Sequence, residues 1–423
     1  MMDFQRARKL ADSVLFEGYV LYPYRASSTK NRFRWSFGVL APRAWSEAGG
    51  CEEWWMESQC LVEPGARVDG RLRFLHTRGR RVEDSQGRNV AQLEVDGKLH
   101  LPWDEGEIRE IELRDLLGSA EQAFPFELAG ATEAEEVRDA SGALRGRVVR
   151  RTSPVRGIVR MRAEPVPAPH PLARLTIRVE NETPWEDASA PREEALRGSL
   201  IAAHVLLASE SDAFLSLIDP PAWAAAAARA CRNRRAWPVL AGPPGSRDLV
   251  LCAPIILYDH AQVAPESPGE LFDNTEIDEI LSLRTLALTE AEKREARATD
   301  PRAAEVIDRV DSLDARAMER LHGVVRDVHG AEMVPRAAGA ASGIARGTRV
   351  RLRPGMRRTD AQDLLFAGRT ATVEAVLHDV DDRVYLAVTI DGDPAAELYR
   401  SHGRYHYFAP DEVELLAGAE DHP

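Results

Sequence analysis

Cysteine is scarce here: Cys51, Cys60, Cys231 and Cys252 are the four in a chain of 423 residues. So few thiols exclude a disulfide-framed scaffold and fit reduced cysteines. Cys51 and Cys60 stand much farther apart than the paired cysteines of a zinc knuckle, so a zinc site built from all four would have to be gathered by the fold. Long apolar runs are missing too. No stretch of about 18 apolar residues suggests a membrane-spanning helix, and Met1 is not followed by the charged and apolar regions of a secretory signal. The expected address is cytoplasmic.

Positive charge is in deficit, with 55 Lys and Arg against 68 Asp and Glu and a formal net charge of -13. That balance argues against a general nucleic-acid or anionic-membrane binder and leaves room for a local basic patch. The sequence also lacks a Walker loop, a strand-borne G-x-G-x-x-G, H-E-x-x-H, G-x-S-x-G and paired C-x2-C knuckles. His260 beside Asp259 makes a poor acid–base pair, because sequence neighbours on a strand point to opposite faces. Enzyme activity is therefore disfavoured.

What is present is ordinary globular material, 44% hydrophobic and 29% charged, in a chain long enough for roughly three domains. Residues 3–13 allow a short helix. Segments 54–63 and 67–84 read as strands around a turn at Pro64-Gly65, and Asp96-Gly97 marks a hairpin. From Arg145 the alternation returns, with Leu175, Ile177 and Val179 set against Arg174, Thr176 and Arg178. Such spacing predicts a sandwich or barrel. Residues 124–132 are either an insertion or a strand of unassigned pairing. Residues 192–235 read as helix-friendly, with an apolar run around His204 that has no clean face and Pro220-Pro221 before an alanine run. WPVLAGPP and DLVLCAPIILYDH are apolar strands.

A change of character comes at 271–301. Asn274 or Thr275 can cap a helix whose acidic first turn holds Glu276, Asp278 and Glu279. Thr289 with Glu292 forms a capping box, and Asp300-Pro301 opens a third helix. There Val306, Val310, Leu313, Ala317, Leu321, Val324 and Val328 make one stripe through about six turns, which must pack on this chain or on a partner. The expected fold class is multidomain α+β: a β-rich sandwich- or barrel-like body (1–190), a mixed α/β segment packed on it (191–270), a helical segment (271–329), a small-residue linker (330–346) and a small SH3-like β-barrel (347–418).

Two stretches could carry function. In residues 19–38 Arg32 and Arg34 alternate with Phe33 and Trp35. As a strand this puts arginines on one face and aromatics on the other. Tyr22, Tyr24, Arg25, Lys30, Arg32, Arg34 and Trp35 then read either as a docking surface for an acidic partner or phosphate, or as an ordinary half-buried strand. In the tail, His402 and His406 with Asp379, Asp391 or Asp393 could hold a divalent metal such as Zn or Ni, or could simply be packed or exposed strand histidines.

YVLYPYRASSTKNRFRWSFG (19–38), LFDNTEIDEILSLRTLALTEAEK (271–293), DAQDLLFAGRTATVEAV (360–376) and GRYHYFAPDEVE (403–414) resemble a protein family encoded in gene clusters of high-affinity, actinobacterial-type NiFe hydrogenases. Those motifs carry no assigned chemistry. The resemblance implies an accessory or assembly protein for that hydrogenase; with the missing active-site motifs and the modular layout, the expectation is a non-catalytic protein without a cofactor that binds another protein such as a hydrogenase subunit or maturation factor.

Overall fold

The computed structural model describes residues 3–117, 121–263, 269–273, 278–313, 344, 346–353, 366, 368–378, 384–391 and 406–416. The chain separates into two compact units, Met1–His322 and Gly323–Pro423, and its class is α+β. In the first unit helix α1 (Gln5–Phe16) leads into an irregular strap, residues 17–41, with a 3-10 turn at Thr29–Phe33; α2 is Arg43–Glu47. There follow β1 (Trp55–Val62), β2 (Val68–Asp84), β3 (Leu93–Val95), β4 (Lys98–His100), β5 (Trp103–Leu113), β6 (Gln122–Leu128), β7 (Ala131–Arg138), β8 (Leu144–Thr152), β9 (Val155–Pro165) and β10 (Ala173–Asn181). Next come α3 (Arg192–Ala195), β11 (Ile201–Ser209), β12 (Phe214–Leu215), α4 (Ala225–Ala230), β13 (Trp237–Leu240) and β14 (Leu249–Ala253), then α5 (Asp278–Leu286), α6 (Glu290–Thr299) and α7 (Pro301–Asp311).

Two antiparallel sheets face each other across the main core. One has the order β12-β1-β10-β9-β6, the other β13-β14-β11-β2-β8-β7 with β5 also on β2. Met56, Cys60, Val159, Leu175 and Ile177 from the first meet Leu72, Phe74, Leu113, Val205, Leu207 and Cys252 from the second. The alternation in 174–179 is realised, since Leu175, Ile177 and Val179 are buried while the arginines lie on the outer face, Arg178 3.5 Å from Glu57 across the pair. Residues 122–128 are a strand on β9. The Asp96-Gly97 turn is left-handed at both positions, which matches the twist of the β3–β4 hairpin.

The helix-friendly reading of 192–235 is corrected at β11. All nine of its residues are buried, because Val205 and Leu207 face the other sheet while Leu206 and Ala208 face α1. A strand covered on both sides needs no polar alternation, so period gave no warning. Residues 191–270 thus complete the sheet of β2 rather than pack on a finished body. His204 is fully buried, its Nδ1 2.8 Å from the Ala202 carbonyl. It lies opposite Arg73, whose buried guanidinium binds Glu110 of β5 at 2.8 Å and Asp12 of α1.

Helices α5–α7 cover the strap. Leu281, Leu288, Ala296, Val306, Ile307 and Val310 join Tyr19, Tyr24, Trp35 and Trp103 in a second core, so the apolar face of α7 packs within the chain. The capping box Thr289–Glu292 forms, and Asp300 caps α7 by accepting from Arg302 N at 2.8 Å. The predicted six-turn helix is corrected: α7 ends at Asp311, with Ser312 as its C-cap. Ala317, Leu321, Val324, Val328 and the linker up to 343 lie outside the described residues, as do Asn274, Thr275, Glu276 and Ile277. In the second unit β15 (Arg349–Leu352), β16 (Thr370–His378), β17 (Val384–Ile390), β18 (His406–Phe408) and β19 (Val413–Leu415) form an antiparallel sheet, ordered β18-β17-β16-β15-β19.

Two outcomes follow. Burial, with Arg73 adding to it, pushes His204 down from 6.5 to about 3. Between those values the unfolded chain holds a proton that the folded chain does not, so stability falls as pH drops through that window, by up to about 1.4 kcal/mol per pH unit. Urea unfolding at pH 7, 5 and 4 should show a shallower acid limb for His204→Asn than for the parent. Asp300 also accepts the Tyr19 hydroxyl at 2.8 Å. Asp300→Ala should cost about 2–4 kcal/mol from the lost cap and the lost buried bond, and less when measured in a Tyr19→Phe background.

Candidate functional site

The strap that was expected to be a strand is not one. Phe33 is 73% exposed and Trp35 2%, the reverse of what a shared aromatic face requires, because Phe33 ends a 3-10 turn and Trp35 has left-handed backbone where a strand would be extended. Asn31 explains the turn. Its side-chain oxygen accepts from Leu21 N at 2.8 Å and its amide donates to the Arg25 carbonyl at 2.8 Å, so one short polar side chain satisfies main-chain groups that a sheet would otherwise pair. Pro23 sits in the loop its fixed φ favours.

The seven candidate partner residues separate accordingly. Tyr24, Arg34 and Trp35 are enclosed by this chain's own elements, Tyr24 donating to the Leu271 carbonyl at 3.2 Å. Tyr22 donates to the Arg284 carbonyl at 3.3 Å, and Arg25 pairs with Glu292 at 3.2 Å. Lys30 is exposed. Arg32 lies in the 3-10 turn. The set is therefore not one surface; Tyr22 and Arg25 fasten the strap to α5 and α6, and Tyr24 fastens it to the segment before α5.

Arg34 and Trp35 nonetheless line a cleft of about 810 Å³ together with Asn31, Arg81, Trp103, Asp104, Arg151, Trp185 and Arg197, among others. The Arg34 guanidinium lies 3.8 Å from the ring centroids of both Trp35 and Trp103, an arrangement in which ring quadrupoles offset lost hydration. It donates to the carbonyls of Asp104 and Tyr19. Burial pushes its pKa down to about 10, with Asp104 opposing the shift, so it stays cationic at neutral pH. Arg192 holds the strap from behind, donating to the Trp35 carbonyl at 2.8 Å and pairing with Glu52 at 2.7 Å.

The floor is a row of paired strands, Asp104 on β5, Gly79 on β2, Arg151 on β8 and Thr132 on β7. Gly79 keeps this row shallow, since an added Cβ would lie 3.1 Å from Asp104 Oδ1. Arg81 is two residues along the same face. Arg81 and Arg151 are exposed and have no carboxylate partner among the described residues, whereas their neighbours Arg80 and Arg150, on the opposite face, both bind Glu105. Glu83, Glu193 and Glu194 also line the cleft.

Trp103, Arg81, Arg151 and Arg197 were not picked out from the sequence. The doublets Arg80-Arg81 and Arg150-Arg151 were the available signal, because a pair of arginines on one strand places one on each face. Cys60 and Cys252 are buried, Cys231 half-buried and Cys51 exposed; burial raises the Cys60 and Cys252 thiols. Asp259 accepts from Leu240 N at 2.8 Å and from Ser216 Oγ, a structural task. In the tail His406 lies on β18 opposite Val388, and Asp391 accepts from Arg349 at 2.6 Å and from Thr372 at 2.9 Å. His402, Asp379 and Asp393 lie outside the described residues. Among the described residues no group of three or more His, Cys, Asp and Glu is placed to hold a metal.

No known protein family and no curated protein matches this chain.

Arg34→Met should destabilise the first unit by about 2–4 kcal/mol, through two carbonyls left without a donor and the lost stacking between indoles. Lysine should restore only part, having no planar fork. Urea unfolding of the three proteins checks both.

Proposed function

We propose that this chain is an accessory or assembly protein that acts by binding another protein through the cleft. The resemblance makes a NiFe hydrogenase subunit or maturation factor the candidate partner and the cytoplasm the expected setting. The observation that carries the reading is the pair of exposed arginines, Arg81 and Arg151, set beside buried aromatic side chains on a strand-built floor. Aromatic anchors ringed by arginine are what protein interfaces concentrate. The second unit, read as a small SH3-like barrel, would add a further binding module to the same chain. A metal-handling role through His402 and His406 with Asp379 and Asp391 is the other reading, and the engagement of Asp391 by Arg349 and Thr372 does not favour it.

Affinity-tagged chain purified from a host that carries such a hydrogenase cluster should bring with it a hydrogenase subunit or maturation protein. The double variant Arg81→Glu/Arg151→Glu should cut that recovery about tenfold or more, because reversed charge at an interface repels an acidic partner. Recovery of no hydrogenase component with the parent chain would count against the assignment.

A further inference from the structure

We infer that β7 is the docking edge for an extended segment of another protein, one that carries Lys or Arg at alternate positions and adds to the sheet as a further strand. The inference does not rest on the cleft being occupied. β7 ends its sheet, and the consecutive residues 131–136 in it are all exposed. Among the described residues its main chain bonds to β8 alone, so the N–H and C=O groups of every second residue point away from the sheet. The other ends of the two main sheets are blunted. β12 has two residues, β6 carries Pro125, and β13 carries Pro238 and has Leu240 engaged by Asp259 and by His260 N. β7 has neither proline nor lysine, and its register shift at Val137/Arg138 leaves the residues before it regular.

Charge selects the occupant. A second copy pairing β7 with itself about a two-fold axis would run antiparallel, with residues of the same face opposed. Four registers overlap five or more residues of β7, those centred on residues 133, 134, 135 and 136. Centring on Glu133, Glu135 or Glu136 sets that glutamate against its own mate, and centring on Ala134 sets Glu133 against Glu135 twice. Like charges directly opposed destabilise a strand pair, so the edge is guarded against its own copy. It is not guarded against cations. Glu133 and Glu135 share a face, their side chains are 67% and 63% exposed, and each engages an arginine of this chain, Arg78 or Arg150, through Oε2. Lys or Arg residues two apart on an added strand would stand opposite both carboxylates. On the other face Thr132, which lines the cleft, would become an inner position, and the cleft floor would widen by one strand.

The test follows hydrogen–deuterium exchange of the full chain by mass spectrometry, reading residues 131–138 while acetyl-Thr-Lys-Val-Lys-Val-Thr-amide, its analogue with Glu in place of Lys, and acetyl-Lys-amide are added in turn. The last brings the charge without a strand. Exchange should slow with the Lys peptide, at an apparent affinity about fivefold or more above that of the Glu peptide, and stay unchanged with acetyl-Lys-amide. Glu133→Gln/Glu135→Gln, at two exposed positions, should bring the two peptides within about twofold of each other. The parent titration alone scores the inference if that variant does not fold. No slowing overturns it, as does equal slowing by acetyl-Lys-amide; equal slowing by the Glu peptide, or a preference that survives the Gln variant, overturns the basic assignment. Slowing that appears as the chain alone is concentrated makes a second copy the occupant and overturns it as well. The cleft reading is scored separately, by partner recovery through Arg81 and Arg151.

Discussion

One hydroxyl group ties the first unit together. Tyr19 Oη donates to Asp300 at 2.8 Å and accepts from Gly106 N at 3.0 Å, joining the strap, the cap of α7 and the middle of β5. Gly106 makes the approach possible, since a Cβ there would stand 2.7 Å from the tyrosine ring. Burial and the neighbouring Asp300 push the phenol well above its usual pKa, so it is a permanent donor in the physiological range. Arg302 covers the same ring from 5.1 Å and Phe16 from 4.2 Å. With Asp300 itself 1% exposed, this is a satisfied polar chain in a dry place, where geometry is specified strongly because any broken member leaves an unpaired group.

The cleft depends on that node. Its floor is β-sheet, whereas Asn31, Arg34 and Trp35 in its lining come from the strap, which has little regular backbone pairing to hold it. Tyr19, Tyr24, Arg25 and Ala26 fasten it to α5–α7 and the residues before them, and Arg192 with Arg34 fastens its far end to the body. The arginines therefore divide into two kinds. Arg34, Arg73, Arg80 and Arg192 are consumed by carbonyls and carboxylates of this chain and build it. Arg81 and Arg151 are left facing outward. The acidic total charge of the chain conceals these two uncommitted cations.

Much of this was legible in the sequence where a local rule was sufficient. Alternation placed β1, β2 and β8–β10, Asp-Gly placed the hairpin, and capping chemistry placed the starts of α6 and α7, because each depends on residues within a turn or a strand of one another. The readings that failed needed knowledge of what lies across the chain. β11 looks helical until α1 and the opposite sheet are both seen to cover it. Residues 32–35 alternate like a strand, but Asn31 gathers the main chain into a turn first. Arg34 looked like a surface cation, and its burial follows from Trp103, nearly seventy positions away.

The sequence by itself determined the α+β composition and the strand and helix starts set by caps and turns. Those depend on short-range sterics and hydrogen bonding. Only the tertiary structure decided which arginine of each doublet is spent and which is free, which tryptophans share a cation, and where α7 hides its apolar face. Those outcomes are set by strand order and by the strap crossing the sheet, and neither leaves a local trace in the residues that it brings together.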